Sequence, residues 1–229
     1  MAVDKLVDST VLDGYFEDIA DAIRGKNGSS DTYTPSEMPA AITAIPSGGG
    51  DTIYDAYFNT GFTYTNTTMT TVPQYMFAKS KLASISLSEV TTVDNYAFSM
   101  CSSIPSVSLP KCTTMGQYAF QQCFALTSLS LPECTSIDQY AFYRCTNLAT
   151  ISLPKVTSLG IRALAGLSAS EFTVDRTLSL PECTTLSNYA LQYSGLTSIS
   201  FPKIQSIGSG MFEGCTSLTQ APELPAMTT

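Results

Sequence analysis

Residues 126–147 read Leu126-Thr127-Ser128-Leu129-Ser130-Leu131-Pro132-Glu133-Cys134-Thr135-Ser136-Ile137-Asp138-Gln139-Tyr140-Ala141-Phe142-Tyr143-Arg144-Cys145-Thr146-Asn147, and this order of residue types recurs on both sides. Its strand-like centre returns as Ile85-Ser86-Leu87, Val107-Ser108-Leu109-Pro110, Leu129-Ser130-Leu131-Pro132, Ile151-Ser152-Leu153-Pro154, Leu178-Ser179-Leu180-Pro181 and Ile199-Ser200-Phe201-Pro202. The successive spacings are 22, 22, 22, 27 and 21 residues. A fixed period in the twenties marks a solenoid, because each unit can bury its apolar face only against the next one. Such chains expose long regular surfaces and act far more often as binding scaffolds than as enzymes.

Three features recur together: the Ile-Ser-Leu-Pro strand, the Tyr-Ala-Phe turn, and a Cys three residues after the Phe. Over residues 70–220 they resemble the BspA-like class of leucine-rich repeats. That resemblance implies a β-rich, right-handed solenoid with repeats of about 22 residues and a parallel sheet on one face. It also implies a surface or adhesion protein, especially of gut bacteria, with no catalytic residues. The pattern departs once. Ile161-Arg162-Ala163-Leu164 replaces the Tyr-Ala-Phe turn, and extra residues enter between Ser168 and Arg176.

The first 45 residues carry a different signal. Val11, Leu12, Tyr15, Phe16, Ile19, Ala20 and Ile23 follow helical spacing, and Gly25 is placed to end the helix. Thr34-Pro35-Ser36-Glu37 reads as a capping box opening a second short helix that runs to about Ile45. The expected organisation is a helical module over 1–45, a Gly-rich linker over 46–51, a cap with a degenerate first repeat over 52–81, and the solenoid over 82–229. Two short helices cannot build a large core alone, so Leu12, Tyr15, Phe16, Ile19 and Ile23 are candidate docking residues, for a particle or for self-association. The stretch from Asp18 to Ile42 resembles a segment of phage tail and prophage structural proteins of Gram-positive gut bacteria. It implies a virion, tail-associated setting with a host surface protein or glycan as partner. The alternative setting is an adhesin on a bacterial cell surface. The first residues lack the basic start and apolar stretch of a signal peptide.

Charge excludes several classes. Residues 1–51 hold nine acids and three bases, and the remainder ten acids and eight bases. The repeat region is therefore almost neutral, without the Lys/Arg clusters that phosphate neutralisation needs, so no nucleic-acid partner is expected. No run of 18 apolar residues occurs, and no membrane insertion is expected. The chain has no His, which removes Ser-His-Asp and Cys-His nucleophile systems. No Cys-x-x-Cys pair exists, and no metal or other cofactor is expected. The seven Cys fall into two columns shared with Val, Ile, Leu and Ser, as packing positions do, and are expected to be unpaired. Asp94 and Asp138 share a column with Gly116, Gly160 and Gly208, which reads as a turn position.

Two surface columns stand out. After each strand the charge alternates through Glu89, Lys111, Glu133, Lys155, Glu182 and Lys203, an arrangement that favours one strand register. A second column runs Tyr75, Tyr96, Tyr118, Tyr140, Arg162, Tyr189. It reads either as a ladder covering the core edge or as an aromatic strip for sugars or a protein partner. Insertions in repeat proteins become loops on one face, often the binding face. The candidate ligand-binding set is therefore Tyr96, Tyr118, Tyr140, Arg162, Glu171, Phe172, Asp175, Arg176 and Tyr189.

Overall fold

The structure is a computed structural model and describes residues 61, 63–167, 176–220 and 222. The chain divides into Met1–Tyr54 and Asp55–Thr229, and every described residue falls in the second unit. The helical module expected over 1–45 lies outside the described residues. Among the described residues there are fourteen strands and no helix.

Each repeat contributes one three-residue strand and one two-residue strand. The longer set is β1 (Thr63–Thr65), β3 (Ser84–Ser86), β5 (Ser106–Ser108), β7 (Ser128–Ser130), β9 (Thr150–Ser152), β11 (Thr177–Ser179) and β13 (Ser198–Ser200). The shorter set is β2 (Thr71–Val72), β4 (Thr92–Val93), β6 (Thr114–Met115), β8 (Ser136–Ile137), β10 (Ser158–Leu159), β12 (Thr185–Leu186) and β14 (Ser206–Ile207). All pairing is parallel and joins equivalent residues, Leu129 with Val107 and Ile151 for example.

The sequence pointed to one continuous sheet built from the Ser-Leu strands. The observed arrangement differs. The longer strands pair in three separate groups, β1–β3, β5–β7–β9 and β11–β13. The unbroken sheet is the other row, seven strands in the order β14-β12-β10-β8-β6-β4-β2. Both breaks have local causes. In regular units the residue two before the central strand position donates across the ladder, as Thr127 N–H does to Pro105 O at 2.8 Å. Pro105 occupies that position before β5 and has no N–H to give. Between β9 and β11 the extra residues of the 27-residue interval enter directly before β11, whereas β10 and β12, also 27 residues apart, still pair.

The turns follow from the residues that make them. Leu109-Pro110-Lys111-Cys112 closes with Cys112 N–H donating to Leu109 O at 3.2 Å, and Leu131 and Leu180 accept in the same way from Cys134 and Cys183. Proline at the second position of such a turn has its φ preset and loses no ladder bond. The central residue of each longer strand points inward, with Val107, Leu129 and Leu178 buried between exposed or half-buried neighbours. Leu109, Leu131, Leu153 and Leu180 join them. From the opposite side come Phe77, Phe98, Phe120 and Phe142, fully buried and stacked with ring centroids 4.6–5.5 Å apart.

The column of Asp94, Gly116, Asp138, Gly160, Ser187 and Gly208 continues the seven-stranded ladder by one residue: Gly116 N–H donates to Val93 O at 2.8 Å and Gly160 N–H to Ile137 O at 2.8 Å. Here the backbones approach closely. A Cβ on Gly160 would lie 2.5 Å from Gln139 N and 2.6 Å from the Asp138 carbonyl carbon, both backbone atoms that cannot rotate away. Gly160→Ala is expected to lower stability by about 1–3 kcal/mol, the usual cost of overpacking. Urea unfolding at neutral pH measures it, and an unchanged midpoint would contradict the close approach.

Candidate recognition surfaces

The expected tyrosine column exists, and its backbone explains its form. Asp94-Asn95-Tyr96-Ala97 is a turn in which Ala97 N–H donates to Asp94 O, and Tyr96 sits at its third position with φ 58°. Tyr75, Tyr118, Tyr140, Arg162 and Tyr189 repeat this, with φ between 52° and 60°. A second left-handed column follows four residues later through Lys79, Met100, Gln122, Arg144 and Tyr193. Left-handed geometry costs a non-glycine residue roughly 1–2 kcal/mol. Two interactions offset it. The rings stack at 4.9, 4.7 and 4.8 Å from Tyr75 through Tyr140, each contact contributing about 0.5–1.5 kcal/mol. Each N–H also donates to the next unit, Tyr96 to Gln117 O at 2.9 Å and Tyr140 to Ile161 O at 2.8 Å.

Arg162 completes this ladder. Its guanidinium carbon lies 5.9 Å from the Tyr140 centroid and 4.9 Å from that of Tyr189. Nη1 donates to the Tyr140 hydroxyl at 3.3 Å and Nε to Gln192 Oε1 at 3.1 Å. The structure thus brings Tyr96, Tyr118, Tyr140, Arg162 and Tyr189 into one half-buried stripe. The sequence reading did not include Tyr143, whose ring meets Tyr140 edge-on at 5.5 Å, or Arg144, which lies 5.8 Å from the Tyr143 ring. Their place beside the stripe depends on the turn geometry, which tyrosine at a left-handed position does not announce.

Arg176 is a correction. It was a candidate surface contact, yet it is only 4% exposed. Its guanidinium donates to the Leu167 carbonyl and, at 3.3 Å, to the Thr146 carbonyl. Its own carbonyl accepts from Thr197 N–H at 2.9 Å. Burial pulls its guanidinium below the ordinary arginine value. It braces the irregular unit and offers a ligand no surface. Glu171, Phe172 and Asp175 lie outside the described residues, as do Leu12, Tyr15, Phe16, Ile19 and Ile23.

The charged column resolves into pairs. Lys111, Lys155 and Lys203 each reach the Glu of the preceding unit, Glu89, Glu133 and Glu182, at 2.6 Å. All six side chains are 40–56% exposed, so solvent screens the attraction. Lys155→Glu is expected to cost less than about 1 kcal/mol, more at low salt than at high salt. A salt-independent loss several times larger would mean the column carries something other than weak ion pairing.

The seven cysteines are unpaired; six are buried and Cys215 is half-buried. Cys101, Cys123 and Cys145 donate from sulfur to the carbonyls of Phe77, Phe98 and Phe120 at 2.8, 3.2 and 3.1 Å. Cys112, Cys134 and Cys183 donate to the carbonyl two residues ahead, at 3.3, 3.2 and 3.4 Å. A thiol fills an apolar site and satisfies a buried acceptor, which explains its exchange with Val and Leu on one side and with Ser194 on the other.

The Thr and Ser residues divide into two kinds. Thr91, Thr113, Thr135, Thr157 and Thr184 donate their hydroxyls to the carbonyl of the equivalent residue one unit back. The residues immediately after the first four, Thr92, Thr114, Ser136 and Ser158, make no side-chain hydrogen bond among the described residues. They line an open groove of about 470 Å³ along the seven-stranded sheet, together with Asp94, Asp138, Gly116 and Gly160. Among the described residues no three His, Cys, Asp or Glu side chains converge as a metal site would require.

The sequence model of the BspA type leucine rich repeat region matches residues 70–180 and 184–226 in six copies. The chain belongs to that family. The structure is similar to the crystal structure of a leucine rich repeat protein of T. pallidum (TpLRR), with TM-score 0.53 and 29% identity over 58% of this chain and 64% of that one. It also matches a leucine-rich repeat protein from Bacteroides ovatus, with TM-score 0.42 and 20% identity over 66% of this chain and 51% of that one. A third match is a leucine rich cell surface protein from Faecalibacterium prausnitzii, with TM-score 0.35 and 17% identity over 74% of this chain and 61% of that one. The chain spans less than two thirds of the length of each. No curated protein matches it.

Proposed function

We propose that this BspA-type leucine-rich repeat chain is a non-enzymatic recognition scaffold that works in adhesion at a bacterial cell surface. The observation that carries the reading is the family's repeat, six copies long, folded into stacked units whose exposed columns are regular and whose cores are closed. Proteins of this repeat type are typically surface adhesion and protein-binding scaffolds. The contact surface includes the Tyr96–Tyr189 stripe with Arg162, where aromatic rings and a cation lie at half-buried positions that suit a sugar or a protein partner. Glu171, Phe172 and Asp175 belong to the same proposed region.

The alternative setting is a phage or prophage tail, with residues 1–45 docking to the particle and the repeats meeting the host. It rests on the resemblance of the stretch from Asp18 to Ile42, and the family match begins only at residue 70. Gold-labelled antibody against residues 61–220 separates the two settings. Label on intact bacterial cells is expected; label confined to released particles would overturn the cell-surface setting while leaving the scaffold reading standing. Binding of the purified chain to host cells tests the scaffold itself. No retention on any host or bacterial surface would sink it.

A further inference from the structure

We propose that the groove along the seven-stranded sheet binds an extended, neutral, β-linked polysaccharide, and this deepens the recognition-scaffold reading on which it rests. The floor of the groove is a row of hydroxyls in register. Thr92 pairs with Thr114, Thr114 with Ser136, and Ser136 with Ser158. Side chains of adjacent parallel strands repeat every 4.7–4.9 Å or so. The neighbouring row, Thr91 to Thr157, is already bonded to backbone carbonyls. The hydroxyls of the groove row are not bonded to any described residue and keep their donors and acceptors for a ligand. Beside it stand the carboxylates of half-buried Asp94 and exposed Asp138. Gly116 and Gly160 alternate with them, and at both the backbones of adjacent units approach closely.

This alternation sets a length. Asp94 and Asp138 stand two units apart, which separates the two carboxylates by about 10 Å, two strand spacings. Two rings of an extended β-linked sugar chain advance by a similar distance and present the same face again. The two carboxylates then accept hydroxyl hydrogens from two rings that present the same face, while the Thr and Ser hydroxyls serve the ring between. The groove's chemistry argues against other occupants. No Lys or Arg lines it and two carboxylates do, so a polyanion is repelled. An extended peptide would bond through its backbone to a sheet edge. Here the backbone groups are consumed in the ladder, as with Gly116 N–H on Val93 O and Asp138 N–H on Met115 O. The face offers side-chain hydroxyls, two carboxylates and the Asn95 amide, which a ligand carrying hydroxyls on its own ring matches.

The test is depletion of the full chain from solution by insoluble cellulose and chitin, with an α-linked glucan as comparison. Depletion by at least one β-linked polymer and little by the α-linked one is expected. Asp94→Ala/Asp138→Ala and, separately, Ser136→Gln, which fills the floor, are expected to weaken it by about tenfold or more, the scale of one or two lost charged hydrogen bonds. Ser108→Gln, on the exposed face of β5, is expected to bind as the unaltered chain does. Competition by a soluble oligosaccharide of the same linkage gives a readout that does not depend on any variant folding. Failure of both β-linked polymers to deplete the chain overturns the proposal, and so does full binding by both groove variants at unchanged thermal midpoints. The same preparations applied to host cells separate the two readings. Cell binding that survives both groove substitutions rejects the groove alone, whereas absence of cell binding together with absence of glycan binding rejects the scaffold reading as well.

Discussion

Truncating Phe142 to alanine is expected to destabilise the protein by about 3–5 kcal/mol, the usual cost of removing a buried aromatic ring. Phe142 is fully buried and stacks on Phe120 at 5.5 Å. In a stacked repeat each unit touches only its neighbours, so this ring is part of the sole interface holding the units on either side together. Tyr140, two residues earlier, is half-buried and lies at φ 58°. Its removal loses the stacking contact with Tyr118, the edge contact with Tyr143, and the hydrogen bond and cation–ring contact with Arg162, all half-exposed, and Tyr140→Ala is expected to cost about 1–2 kcal/mol. Glycine at the same place also loses these contacts but relieves the left-handed strain, so Tyr140→Gly is expected to be no worse than Tyr140→Ala. The chain itself places Gly210 at the same turn position, with φ 64° and the Tyr189 ring above it. Urea midpoints of the three variants settle the ranking. Equal losses for Phe142→Ala and Tyr140→Ala, or a clearly larger loss for glycine than for alanine at 140, would contradict the inside–outside assignment or the strain.

The repeat made the column assignments legible. Steps of 22 put Phe120 with Phe142 and Cys123 with Cys145 in columns whose other members are apolar, thiol or, as at Ser194, a small hydroxyl, and such columns point inward. The stripe of Tyr96, Tyr118 and Tyr140 was legible for the same reason. What stayed hidden depended on backbone geometry. The two-residue strands such as Thr92–Val93 are too short to show an alternation, yet they form the unbroken sheet because nothing in them blocks a ladder. The row that looked strongest in sequence is broken by Pro105, one residue whose defect is a missing N–H. Tyrosine at a left-handed position gives no warning, since glycine or asparagine is the usual sign. Arg176 looked like a surface cation in an insertion. It is buried because the carbonyls of Leu167 and Thr146 need donors where the repeat loses its regular ladder. The groove's Asp/Gly alternation was visible but read as a turn, and only the paired strands beneath it show that it borders a row of unbonded hydroxyls.

The thiol columns make stability fall on the alkaline side. Burial pushes the Cys101 thiol from its ordinary 9.0 up to about 12, with contacts to Ser80 and Lys79 opposing the shift only in part. Burial likewise pushes Cys123 well above its ordinary value, and contact with Cys145 adds to it. Cys183 is raised by burial, whereas the contact between Cys112 and Cys134 moves the two in opposite directions, Cys112 down and Cys134 up, so this pair adds no clear net slope. Tyr96 and Tyr118 are also raised, from partial burial first and neighbouring tyrosines second. A thiol that ionises more easily in the unfolded chain than in the folded one draws the protein toward unfolding once the pH passes the unfolded value. The contribution is whole below pH 9 and is lost between 9 and about 12. For Cys101 alone the loss is on the order of 4 kcal/mol by pH 12. Urea midpoints are therefore expected to stay level up to about pH 8 and to drop steadily above 9. Cys101→Ser keeps a donor for Phe77 O, does not titrate in this range, and places the same residue type that Ser194 already provides in that column. Its alkaline slope is expected to be visibly shallower than that of the unaltered chain. In the folded protein at pH 8 a thiol reagent is expected to label few of the seven cysteines, and after unfolding without reductant all seven. Stability that holds level to pH 11, or an unaltered slope in Cys101→Ser, would show that these thiols ionise in place and that their burial does not govern the alkaline limit.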